Sequence, residues 1–443
     1  MHLTDKEVDA LADGADLPPH RLDHAQECTS CLRRVSEKRA FDEMLGHEET
    51  WVVLDEIETA RRSSLLQDLE DRLRREDAEA EKLLGRLAAS PYRFLWSILN
   101  VRKRRFRTGG VVRFLNKAAH DECERDPLHA RNLADAAIAV AEALPDDLYP
   151  ASGVEHLRGV AYKERANACR YLGELDAALA ALDRAERSFR RLLAPDLHLA
   201  VVDHIRATVL TEAERHAEAM LYALRAAAVF ERQGETSRWA QAQFVIAGIH
   251  FYEERYEAAR DALAGVLAAH ERVQDRDLVV ARVQYDVGVC ELELGRFDEA
   301  SVHLVAALAA FQHLDRPTEV VRVSWSLGRL AVLAGNTVEG TRRLAAARGD
   351  ALRLHMSDDA AKITLDLVRG LLANGQVKEI PRLLTQALRY FRDAGQSSAV
   401  LNATAYLRQV AAGRSLTPTL LDYVSRFIAR AERNTELVFV PPS

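Results

Sequence analysis

The residues best suited to chemistry lie near the start of the chain, where His24, Cys28 and Cys31 form the spacing H-x3-C-x2-C. Side chains three and four apart on a helix share one face, so one imidazole and two thiols converge on a single point. Neutral imidazole nitrogen and thiolate sulfur are ligands for Zn2+, which takes four of them in a tetrahedron. His2 is the best fourth ligand and His20 the spare. With four protein ligands no position is left for a substrate water, so the ion would be structural. The competing readings are two ordinary thiols beside a solvated histidine, or a redox pair that expels the metal on oxidation. Cys123, Cys169 and Cys290 stand singly in helical stretches and read as small buried hydrophobes. No phosphate-binding glycine loop, G-x-S-x-G or H-E-x-x-H occurs, and the sequence is expected to be no enzyme.

The elements that must hold these ligands are short helices. KEVDALADG forms the first, and a second follows Leu17-Pro18-Pro19, expected to pack antiparallel on it. His2-Leu3-Thr4, LADG at 11–14 and His24-x3-Cys28-x2-Cys31-Leu32 together resemble the zinc-binding anti-sigma factor domain. The resemblance covers residues 1–45. It implies a small helical bacterial domain that holds a sigma factor away from RNA polymerase.

The rest of the chain repeats itself. YLGELDAALAALDRA, from Tyr171 to Ala185, recurs five more times, with turn positions at Gly173, Glu214, Glu254, Gly295, Gly335 and Gly375. Their spacings are 41, 40, 41, 40 and 40 residues. Each unit reads as helix A, a tight turn and helix B, with glycine suited to the left-handed turn. Ala166, Ala178 and Ala185 let the helices of the first unit approach, while Leu175 and Leu182 fill the space between them. Gly288, Ala300 and Ala307 against Phe297 and Leu304 repeat the design. The pattern resembles the tetratricopeptide repeat, here about six residues longer than usual. Longer helices, and inter-repeat loops at GETSRW, LDRPTEV and HMSDD, are expected to take up the excess. The fold class expected is all-α: a right-handed superhelical solenoid of stacked antiparallel helix pairs with a small N-terminal helical zinc-binding segment.

The resemblance implies that helix A lines a concave, partner-binding face. That face would carry Lys163, Asn167, Arg170, His204, Phe244, Arg282, Tyr285, Arg322, Trp325, Arg329, Lys362 and Arg369. Arginine and aromatic anchors fit an acidic peptide or a protein partner. Reversing Arg322 and Arg329 to glutamate is expected to weaken capture while leaving thermal unfolding nearly unchanged, as for exposed charges.

Four segments follow: the zinc segment 1–45; a helical connector or cap 46–110; a repeat array 111–398, with a degenerate unit (Val111–Glu124, Pro127–Leu144) before six clear ones; and a capping helix with tail, 399–443. The connector contains a helical stretch from Trp51 to Ala89, with Leu54, Ile57, Leu65, Leu69, Leu73 and Leu83 as its apolar side. It ends in Arg102, Lys103, Arg104, Arg105 and Arg107, a basic run before Gly109 that reads as a solvated helix end, a protease-sensitive point or a nucleic-acid contact. The formal net charge of -7, from 60 basic and 67 acidic residues, argues against bulk nucleic-acid attraction. No run of eighteen apolar residues occurs, so a cytoplasmic location without membrane insertion is expected. The function expected is that of a protein-interaction regulator with a protein partner such as a sigma factor, and no small-molecule substrate. The alternative is a pure scaffold for a protease or effector, released by cleavage near 102–108.

Overall fold

The computed structural model describes residues 2–46, 67–84, 104–145, 147–269, 276–431 and 437–442. These residues form helices and no strand. The chain divides into two compact units, Met1–Arg86 and Leu87–Ser443.

The first unit opens with three helices, α1 (Asp5–Ala12), α2 (Pro19–Glu27) and α3 (Thr29–Gly46). Thr4 and Glu7 make a reciprocal capping box at the start of α1, and Gly14, at φ +79°, ends it. Proline at the start of α2 fixes the backbone where a missing N–H costs nothing. Both α1 and α2 pack on α3, a third helix that the two-helix reading did not expect. Leu3, Val8, Ala25 and Cys31 form the core. A core this small carries little stability of its own. Within the connector, residues 67–84 are helical. Leu69 is exposed, while Ala80 and Leu84 are buried. The expected apolar positions Leu54, Ile57 and Leu65 lie outside the described residues.

The second unit is a stack of helix pairs. The pair Gly109–Glu122 and Pro127–Glu142 precedes six more: Ala151–Tyr171 with Leu175–Phe189, Asp196–Glu212 with His216–Arg232, Thr236–Tyr252 with Tyr256–Ala268, Arg276–Glu293 with Phe297–His313, Pro317–Leu333 with Thr337–Arg353, and Ser357–Ala373 with Ile380–Asp393. Beyond them the expected capping segment is itself a pair, Ser398–Ala412 and Pro418–Ala431. After it, Phe439 packs on Tyr406 and Phe427. Most successive first helices touch each other, whereas contacts between successive second helices are sparse or absent. The stack therefore curves with the first helices inside, and their free sides form the concave face.

The long repeat comes from helix length and not from loops. Both helices run 17 residues in two pairs, Asp196–Glu212 with His216–Arg232 and Pro317–Leu333 with Thr337–Arg353, and the first helix does so in two more. GETSRW, LDRPTEV and HMSDD are tight turns from which helices start at Thr236, Pro317 and Ser357. Left-handed residues sit at these turns too, at Gly234, Asp315 and His355. The small residues act as expected: a Cβ on Gly328 would meet Leu344 Cγ at 2.8 Å, and one on Gly288 would meet Leu304 Cγ at 2.8 Å.

Glu214 and Glu254 adopt φ of 58° and 59° where other units place glycine. A side chain there costs about 1 kcal/mol. Glu254→Gly should raise stability by about 0.5–1 kcal/mol, read as a higher urea midpoint at an unchanged slope. A lower midpoint would contradict the strain assigned to this turn.

Candidate functional site

The first cluster is the His/Cys constellation. His2, just before α1, is exposed; His24 on α2 and Cys28 between α2 and α3 are half-buried; Cys31 in the first turn of α3 is fully buried. One ligand atom from each of the four lies within 4.8 Å of all the others. Cys28 Sγ is 3.4 Å from His2 Nδ1, Cys31 Sγ is 3.5 Å from the same atom, and Cys31 Sγ is 3.6 Å from His24 Nε2. A tetrahedral zinc with bonds of about 2.3 Å to sulfur and about 2.0 Å to nitrogen places sulfur and nitrogen about 3.5 Å apart. The donor set and its spacing fit that ion. His20, the spare ligand, is exposed and outside the cluster.

The surroundings hold these ligands in place. Backbone amides of Cys31 and Ser30, at the start of α3, point at the Cys28 sulfur and lower its thiol pKa, with burial opposing them. The Leu3 amide donates to Cys31 Sγ at 3.3 Å. Arg21 donates to Glu7 Oε1 at 2.8 Å and to the His2 carbonyl at 3.2 Å, which ties the segment before α1 to α2. Beside that guanidinium and the Thr4 amide the Glu7 carboxyl sits at about 2. Arg34 of α3 donates to the Leu3 carbonyl at 2.6 Å. Such outer contacts fix ligand direction before any metal arrives.

The second candidate is the concave face. Counting back from each turn aligns its columns. Ten residues before the turn stand Lys163, His204, Phe244, Tyr285, Trp325 and Leu365; nine before it stand Glu164, Ile205, Val245, Asp286, Ser326 and Asp366; six before it stand Asn167, Thr208, Gly248, Val289, Arg329 and Arg369. The basic residues expected to greet an acidic ligand are mostly satisfied within the protein. Arg170 donates to Glu212 at 2.6 Å and lies 4.1 Å over the Tyr171 ring. Lys163 pairs with Glu164, which also accepts from Asn167 at 3.4 Å. Lys362 pairs with Asp358 at 2.7 Å. Arg369 donates to Asp422 at 2.8 Å.

Arg322 and Arg329 differ. Arg322 is exposed and 3.2 Å from Asp359. Arg329 is mostly covered, 2.8 Å from Glu293 and 3.5 Å from Asp366. Burial opposes the Arg329 charge, but Asp366 and Glu293 outweigh it and hold the guanidinium above its ordinary pKa. Trp325 Nε1 donates to Asp366 at 2.7 Å. His204 is pushed down to about 4 by burial, with Arg170 adding to it. Arg282 alone of the expected cations is exposed with no ion pair among the described residues.

Sequence reasoning missed the carboxylates Glu293, Asp359, Asp366 and Asp422, as well as Asp286. Aligned columns could have flagged two of them, since the one nine residues before the turn holds an acid in half of the units. Asp286 makes no hydrogen bond or ion pair among the described residues. Burial pushes its carboxyl up to about 7, with Arg282 opposing. Surrounded by protein, it is still reached by water from a cavity of about 280 Å³.

In the basic run, Arg102 and Lys103 lie outside the described residues. Arg104–Phe106 is one helical turn, with Phe106 buried and the Arg105 guanidinium 4.9 Å from its ring centroid. Gly109 and Gly110 are not a turn, as the reading of a helix end before a glycine turn expected. They are buried in the first turn of a helix capped by the Thr108 side chain, and the Gly109 amide donates to the Tyr149 hydroxyl at 2.9 Å. Cys123, Cys169 and Cys290 are free and buried, and burial raises the thiols of Cys123 and Cys290 to about 11 and 12. No described helix is long and apolar enough to cross a membrane.

No protein-family model matches the chain, and no curated protein matches it by sequence. Solved structures do match in fold. The apo form of RapI is 18% identical, covers 63% of this chain and 98% of its own, and has a TM-score of 0.50. Aspartyl phosphate phosphatase F from Bacillus subtilis is 11% identical, covers 83% and 97%, and has a TM-score of 0.51. A signal-transduction ATPase with a tetratricopeptide repeat sensor from Pyrococcus horikoshii is 14% identical, covers 74% and 54%, and has a TM-score of 0.49. At these identities the likeness is one of fold alone, and it is with helical-repeat proteins.

Proposed function

We propose that the chain is a non-enzymatic regulator that works by holding other proteins. Its N-terminal helices, built round a structural zinc ion, engage a sigma-like signalling partner, and the concave repeat face holds a protein or peptide. The observation that carries this reading is the convergence of His2, His24, Cys28 and Cys31, three of whose sulfur–nitrogen separations match the edge of a zinc tetrahedron. Those residues are also the ones through which the sequence resembles the anti-sigma domain. Zinc bound there supplies cross-linking and no reaction, because all four positions are taken by protein. The curved stack contributes a broad surface that needs no reorganisation to bind, and a stable interface takes about 800 Å² from each partner.

The test uses the full chain and the sigma factor encoded nearest to it. We expect the two to co-purify, and transcription by RNA polymerase with that sigma factor to fall when the chain is added. The variant Cys28→Ser, Cys31→Ser should lose both effects while its repeat array keeps its helicity. Transcription that is unchanged by the wild-type chain would sink the sigma reading. Capture of a protease or effector that survives deletion of residues 1–45 would replace it with a scaffold.

A further inference from the structure

The cavity beside Asp286 has an unusual origin. It lies among three successive helices, Thr236–Tyr252, Tyr256–Ala268 and Arg276–Glu293. At the column six residues before the turn, other units carry Asn167, Thr208, Val289, Arg329 and Arg369, whereas this unit carries Gly248. A Cβ built there meets nothing within 4 Å. The missing side chain leaves a hole in the groove floor, walled by Phe244, Phe251, Tyr252 and Tyr285, with the Asp286 carboxyl in its lining.

We propose that this pocket receives a lysine or arginine side chain of an extended peptide lying along the concave face. Three features select that occupant. The groove carboxylates on Asp359, Asp366 and Asp422 are each spent on an arginine, whereas Asp286 has no such partner among the described residues and is free to accept one from outside. Aromatic faces attract an organic cation, and a methylene stem buries its apolar surface against the same rings. At about 280 Å³ the cavity has room for one long side chain. The high carboxyl pKa agrees, because an entering cation removes the cost of burying the charge. A cation in this pocket differs from the acidic ligand that the arginine content alone favours.

The proposal rests on the groove reading of the function, and its test is separable from it, because groove binding of a whole protein is scored independently by the deletion experiment. The probes for calorimetric titration of the full chain are blocked pentapeptides, acetyl-Leu-Ala-X-Ala-Leu-amide, with X as lysine, arginine, norleucine or glutamate, and n-butylammonium as the free amine. The lysine and arginine peptides should bind at least about tenfold more tightly than norleucine, and the glutamate peptide should be weakest. Asp286→Asn should erase the lysine-over-norleucine preference, and it should fold, since it removes a charge that burial disfavours. Gly248→Leu fills the hole and should abolish binding of both peptides, while circular dichroism stays unchanged because the space is open. Equal binding of lysine and norleucine peptides, retention of the preference in Asp286→Asn, or no peptide binding at all would overturn the proposal. Binding of n-butylammonium as tightly as the lysine peptide would also overturn it, in favour of a small-molecule amine.

Discussion

Protein purified from metal-replete, reducing medium is expected to carry about one zinc per chain, and removing that ion should unfold the N-terminal helices. The effect should be large because the Leu3, Val8, Ala25 and Cys31 core is too small to hold three short helices alone. Structural zinc contributes on the order of 10–16 kcal/mol of binding free energy in comparable small domains. Cys31→Ser should therefore lose the metal and the amide-exchange protection of residues 2–40, while the far larger helical signal of the array persists. His2→Ala should weaken zinc binding, and His20→Ala should leave it unchanged, since His20 lies outside the cluster. Elemental analysis with hydrogen exchange checks this. A zinc-free protein with the same protection at residues 2–40 would show that packing alone holds the unit and that the cluster is not a metal site.

Charge reversal at Arg329 should be the most damaging single change on the concave face. The guanidinium sits between Glu293 and Asp366, with its side chain 25% exposed, so Arg329→Glu would gather three carboxylates in a poorly solvated place. Breaking such a pair costs about 3–5 kcal/mol, and the added repulsion raises that figure. Arg322→Glu is the internal control. Its side chain is 52% exposed, and loss of its pair with Asp359 should cost about 1 kcal/mol or less. Urea unfolding of the two single variants separates them. Near-equal midpoints would show that water screens Arg329 as fully as Arg322. The structure thus replaces the expectation that both reversals spare stability: only Arg322 is a surface charge, and a binding defect in the double variant would be confounded by unfolding at Arg329.

Several features of the molecule are written locally. The 40-residue period, the turns at Gly173, Gly295, Gly335 and Gly375, and the small residues at Gly288 and Gly328 are legible because each depends on helical spacing or on a backbone conformation that few residues tolerate. The clustering of His24, Cys28 and Cys31 is legible from their spacing, but they converge across the break between α2 and α3, with Cys28 in extended backbone, and not on the one helix face that the spacing predicts. Even the turns at Glu214 and Glu254 were visible, because the period marks them although their residue type does not.

What only the tertiary structure decided involves residues brought together by stacking. That α1 packs on α3 follows from how a small apolar set is shared among three helices, a choice that hydrophobic spacing within each helix leaves open. The chemical character of the concave face was settled in the same way. Arg329 and Glu293 are 36 residues apart, Arg322 and Asp359 37, and Trp325 and Asp366 41, about one repeat in each case. Composition shows an arginine-rich face, but whether those charges face a ligand or each other depends on the rise and twist between neighbouring pairs. The Asp286 pocket depends on the same geometry: Gly248 borders a cavity only because Tyr285 and Asp286 of the next pair stand opposite its helix.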